Sequence, residues 1–149
     1  MYWCIFYFKS SNDRGYNITS VDIGNSVISI GENAFFGLSQ LKTITIPESM
    51  IIIDGYAFDD STALETVIIK SRSITIGPYA FDTCTSLKTV TYYGTTPPIC
   101  QSTTAHSCNG CQFCNQATGD CTSLSTTVNV PKGYSSESFC NLQVTKVEL

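Results

Sequence analysis

The sequence predicts a parallel β-solenoid, with an apolar leading segment, a run of stacked coils, a cysteine-rich stretch and a closing strand. Three observations carry this. One pattern is written three times between Ser26 and Gly94, as SVISIGENAFFGLSQLKTITIPE, SMIIIDGYAFDDSTALETVIIKS and SITIGPYAFDTCTSLKTVTYYG. The pairs Ala34-Phe35, Ala57-Phe58 and Ala80-Phe81 are separated by a constant 23 residues (57 − 34 and 80 − 57). Aliphatic columns keep the same step: Ile30, Ile53 and Ile76; Leu41, Leu64 and Leu87; Ile44, Val67 and Val90; Ile46, Ile69 and Tyr92. A unit of this length cannot bury its apolar edge alone and must stack on its neighbours.

The chain opens on MYWCIFYFKS, apolar and aromatic from Tyr2 to Phe8 and too short to span a bilayer. It lacks the basic start and small-residue cleavage site of a secretory signal. A cap strand over the first coil, a remnant of a longer coding region and a poor signal all stay open. The polar SSNDRGYN reads as a turn into the first recognisable strand, where Ile18, Val21 and Ile23 of ITSVDIGN fall one period before the main repeats. That makes four strand segments. Asn17-Ile18-Thr19 has the form of an N-glycosylation sequon, which chance supplies readily in a chain this rich in Asn, Ser and Thr.

Within each repeat, L-x-x-I-x-I alternates β-branched residues over a few positions and fits a short strand with one buried face. The I-x-I ahead of it predicts a second short strand on the other side of the coil. Between them, ENAFFGLSQ, GYAFDDSTA and PYAFDTCTS read as single helical turns, with Pro78 where a missing N–H is tolerated. The small Ala fits a close backbone approach and the Phe fills the wide end of the coil.

The repeat unit I-x-I-G-x-x-A-F-x-x-(C)-x-x-L-x-x-I-x-I-P resembles the BspA-like leucine-rich repeat of surface proteins from anaerobic bacteria and parasitic protists. Asp54 replaces the usual Gly, and Lys70 and Tyr93 fill the Pro column. The fold implied is a leucine-rich repeat solenoid whose main strands form a parallel β-sheet. The function implied is that of an extracellular or cell-surface protein that adheres to host cells, matrix proteins or other microbes by protein–protein contact.

The outward positions of the main strands form columns: Thr43, Thr66 and Thr89; Thr45, Ile68 and Thr91; and, one step on, Lys70 and Tyr93. Threonine is what a solvated sheet surface tolerates, being β-branched and polar at once. The same columns form the candidate binding face, since solenoids commonly bind partners on the concave surface, with Ile68 and Tyr93 as its anchors.

After Gly94 the composition shifts. TTPPIC ends the repeat, since adjacent prolines cannot continue a central strand. The following stretch holds Cys100, Cys108, Cys111, Cys114 and Cys121, and Cys140 lies beyond it. These six are the disulfide candidates, in any of 15 connectivities. Zinc held by four of Cys108, Cys111, Cys114, Cys121 and His106 is the alternative, and an iron–sulfur centre lacks the usual spacing of its fourth cysteine. No metal or other cofactor is assigned. Val128, Val130 and Pro131 return to the wording of the repeat and predict a last rung, with the cysteine-rich piece looping out as an insertion. The partition is then 1–15 segment or cap, 16–96 repeats, 97–127 insertion and 128–149 terminal rung.

Composition narrows the function. Hydrophobic residues make up 42% of the 149 and support a packed core, while charged residues, at 13%, are about half as common as usual. A net charge of −4 without clustered Lys or Arg disfavours nucleic acid and anionic membranes as partners. His106 is the only histidine, and no nucleophile elbow, phosphate loop or metallohydrolase helix is present. Asp59-Asp60 reads as a pair of solvated loop acids, and Cys84 as a buried free thiol. The prediction is a non-enzymatic binding protein that can self-associate through an open sheet edge. The alternative is a structural stub of a longer array, or an intracellular interaction module with a zinc-binding cysteine cluster.

Overall fold

The computed structural model describes residues 17–101, 113, 126–140 and 142–149. Ten strands wind between two sheets: β1 (Ser29–Ile30), β2 (Thr43–Ile46), β3 (Ile52–Ile53), β4 (Thr66–Ile69), β5 (Thr75–Ile76), β6 (Thr89–Tyr92), β7 (Ile99–Cys100), β8 (Thr127–Pro131), β9 (Ser138–Phe139) and β10 (Leu142–Val147). The smaller sheet runs β1-β3-β5-β7 and the larger β2-β4-β6-β8-β10-β9. From β1 to β8 consecutive strands thus alternate between sheets, which is the path of a solenoid.

Pairing is parallel except between β9 and β10, and it keeps the sequence columns in register. Thr43, Ile44, Thr45 and Ile46 oppose Thr66, Val67, Ile68 and Ile69, which oppose Thr89, Val90, Thr91 and Tyr92. Between β2, β4 and β6 the partners lie 23 residues apart (66 − 43 and 89 − 66). The step becomes 24 from Thr75 to Ile99 and 38 from Thr89 to Thr127. Alternation decides the packing: Ile44, Ile46, Val67, Ile69, Val90 and Tyr92 are fully buried, while the residues between them face outward.

Three expectations are corrected. Ile18, Val21 and Ile23 pack half-buried against the core, but ITSVDIGN forms no strand, and among the described residues the larger sheet begins at β2. Asp22 and Gly24, poor strand formers, stand at the outward positions of this segment.

The segments around Ala-Phe form no helical turns; among the described residues there is no helix. Each turn instead has two left-handed positions, in columns: Asn33, Tyr56 and Tyr79 at φ 57°, 55° and 58°, then Gly37, Asp60 and Thr83 at 74°, 58° and 53°. These reversals stop a helix from propagating and aim the amides at the next coil. The Phe35 N–H donates to the Ala57 carbonyl and the Phe58 N–H to the Ala80 carbonyl, both at 2.8 Å. Ala57 and Ala80, whose carbonyls accept these bonds, are fully buried.

The third correction concerns the cysteine-rich stretch, which does not wholly loop out of the coil. Its Phe113 is fully buried and joins the ring stack Phe35-Phe58-Phe81-Phe113, with centroid spacings of 5.1, 5.1 and 4.9 Å. An exposed phenylalanine would forfeit the burial of a large apolar ring, and the end of the stack offers that burial. Phe139 then packs against both Phe113 and Tyr92, closing the core beyond β8.

Candidate functional site

The larger sheet builds the candidate site. Strands β2, β4 and β6 carry Thr43, Thr66 and Thr89 in one outward column and Thr45, Ile68 and Thr91 in the next. Lys70 and Tyr93 follow their strands and extend the ladder, their N–H groups donating to the Ile46 and Ile69 carbonyls at 2.9 and 3.0 Å. Thr43, Lys70 and Tyr93 are exposed and the other five half-buried. The fold therefore brings all eight residues of the predicted face onto one surface. Pro47, which precedes Lys70 in its column, is buried.

The face is wider than those eight residues. Thr127 opposes Thr89 and Asn129 opposes Thr91 on β8, and Thr145 of β10 opposes Asn129. The T-x-N spacing of TTVNV was visible in the sequence. Thr145 had no such signal, because LQVTKV departs from the wording of the repeat. With five parallel strands about 4.8 Å apart the face spans about 19 Å.

A charged ladder borders this face. Lys42, Glu65 and Lys88 immediately precede β2, β4 and β6, and the Lys88 ammonium donates to Glu65 at 2.7 Å. That hydrogen bond, then the Lys88 charge, and finally Lys42 hold the Glu65 carboxyl below its ordinary range. The pair is exposed and orients the rim more than it stabilises the fold.

The turns hold a second group of titratable residues. Asp59 is half-buried and faces Asp82, one coil on, which is almost fully buried, so the reading of Asp59 as a plainly solvated acid is corrected. Burial, and then the Asp82 carboxylate, push the Asp59 carboxyl up to about 6; the Asp60 N–H and the Thr83 hydroxyl, both donating to it, oppose the shift. Cys84 lies beneath, buried and free, its thiol directed to the Phe58 carbonyl at 3.3 Å. Burial raises its pKa far above the ordinary thiol range, which withholds the thiolate a nucleophile needs.

Cys100 and Cys140 are joined in a disulfide across 40 residues. Cys108, Cys111, Cys114, Cys121 and His106 lie outside the described residues, as does the leading segment Tyr2 to Phe8. Among the described residues no cluster of His, Cys, Asp or Glu could hold a metal ion, and no helix is long and apolar enough to cross a membrane.

These columns, turns and ring stacks coincide with a family model described as a BspA type leucine rich repeat region, which matches six copies over residues 10–125. The chain belongs to that family. The BspA-type match runs through the cysteine-rich stretch, in keeping with the place of Phe113 in the core. BspA-type repeats commonly mediate protein–protein interaction, are generally non-enzymatic, and occur typically in surface or secreted proteins. Neither a curated protein nor a solved structure matches the chain.

Proposed function

We propose that this chain is a non-enzymatic adhesion protein, secreted or held at the cell surface, that binds a protein on a host cell, in matrix or on another microbe. The ligand sits on the outer face of the larger sheet. The observation that carries the reading is the continuity of that face: threonines in register over β2, β4, β6 and β8, with Ile68 and Tyr93 standing among them. Protein interfaces concentrate binding energy in a few aromatic and aliphatic anchors set among weakly contributing polar contacts. A face about 19 Å wide favours modest affinity, which an array of many copies at a surface multiplies.

The repeat unit of this solenoid is the 23-residue step, and the longer step from β6 to β8 accommodates the cysteine-rich stretch as an expanded unit. A disulfide at Cys100–Cys140 suits an oxidising compartment, consistent with work outside the cytosol. Beads coated with the chain and passed over cell layers and immobilised matrix proteins test the reading. Retention should fall about tenfold or more for Tyr93→Ala, as expected for an anchor residue. Equal retention of wild type and variant on every surface argues against it.

A further inference from the structure

We propose that the Cys100–Cys140 disulfide is a redox latch for the end of the solenoid: a thiol or dithiol reductant releases β10 and turns a sheet capped at β10 into one open at β8. The bond ties the last strand of the smaller sheet, β7, to the link between β9 and β10. It therefore holds together the ends of both sheets.

What it holds is the least buried of the long strands. Strands β2, β4 and β6 each place two fully buried side chains in the core, whereas β10 buries only Leu142, and Gln143, Thr145 and Lys146 are exposed. Its further supports are the four parallel partners on β8, the short antiparallel pairing with β9 and two surface ion pairs, Lys146–Glu137 and Lys132–Glu148. Surface pairs of this kind hold weakly. Cys140 itself sits at φ 53°, a conformation L residues adopt only when their surroundings impose it, and the covalent bond is the strongest constraint present. Local opening concentrates in elements with few buried contacts and exposed hydrogen bonds, which describes β10 once the bond is cut.

The chemistry balances simply. A thiolate of the reductant attacks one sulfur and displaces the other cysteine as a thiolate. A second reductant thiol then resolves the mixed disulfide, giving two cysteine thiols and one oxidised reductant, with two electrons transferred. Both cysteines are half-buried and so partly accessible to a small thiol. Buried Cys84 cannot act as an internal attacking group. Release of β10 removes Thr145 from the outer face and leaves the β8 edge, Val128 to Pro131, open to pairing with another strand.

Amide hydrogen exchange on the whole chain tests this, comparing oxidised wild type, wild type with dithiothreitol, and an oxidised Cys100→Ser/Cys140→Ser variant. Protection at Val144 to Val147 and at Val128 to Val130 should fall at least tenfold on reduction and in the variant, with Val67, Ile69 and Val90 unchanged. Dithiothreitol should loosen β10 of the variant no further. Should the variant fail to fold, reduction of the folded wild type gives the same readout. Unchanged protection in β10 overturns the latch, as does equal loss in β4 and β6, which would make the bond a staple of the whole fold. Further loosening of the variant by dithiothreitol also overturns it, by assigning the effect to other cysteines.

Discussion

The ring of Phe113 lies flat on that of Phe81, centroids 4.9 Å apart and planes 2° from parallel. Phe81 is held equally closely on its other face by Phe58, at 5.1 Å and 4°. Removing the middle ring leaves a cavity between the rings of Phe58 and Phe113. Phe81→Ala should therefore destabilise by about 3 to 5 kcal/mol in chemical denaturation. A loss under about 1 kcal/mol would mean that the stack does not run unbroken into the cysteine-rich stretch.

Gly77 is confined by backbone, not side chains. A Cβ there would sit 2.5 Å from the Gly55 amide nitrogen and 2.6 Å from the Asp54 carbonyl carbon. The family's usual Gly is thus dispensable at position 54 but not at 77, where the preceding coil presses in. Gly77→Ala should destabilise by about 1 to 3 kcal/mol, as overpacking does, readable as a lower melting temperature.

Asp60 adopts φ 58° in the column where Gly37 adopts 74°. The left-handed conformation costs an L residue about 1 to 2 kcal/mol, and the carboxylate also adds negative charge beside Asp59. Asp60→Gly should stabilise by up to about 1 kcal/mol once the greater freedom of Gly in the unfolded chain is counted. A lower melting temperature for the variant would show that the Asp60 side chain contributes more than its strain removes.

The pH dependence of stability follows from Asp59. Its folded-state pKa, about 6, lies above the ordinary 3.8, so the folded chain holds this proton more tightly than the unfolded one. The stability it contributes is complete below about pH 3.8 and is lost as pH rises through about 6. Asp59→Asn, which keeps an oxygen acceptor for the Thr83 hydroxyl and the Asp60 N–H, should raise the melting temperature at pH 7.5 and leave it unchanged near pH 3.5. An equal effect at both pH values would remove Asp59 as the titrating group.

Much of this was legible in the sequence because the coil is built from columns. Leu41, Ile44 and Ile46 recur as Leu64, Val67 and Ile69, and alternation along each strand then assigns Thr43, Thr45, Thr66 and Ile68 to the outer face. The turns were not legible. Their geometry depends on amides such as that of Phe35 bonding to a neighbouring coil, a contact between residues 22 apart (57 − 35) that local propensity does not express. Asp59 and Asp82 become neighbours only once the coils stack. Phe113 was hidden by the cysteines around it, which read as a disulfide or metal loop, and β10 by its departure from the repeat's wording.

The most direct test of the binding face compares one charge on each sheet. Ile68 is half-buried on the outer face of the larger sheet, and Ile52 is half-buried on the smaller one. Bead retention on a surface that holds the wild-type chain should fall about tenfold or more for Ile68→Lys and stay unchanged for Ile52→Lys, as expected if the anchors lie on the larger sheet. Retention kept by Ile68→Lys and lost by Ile52→Lys would place the ligand on the other side of the solenoid and contradict the proposed function.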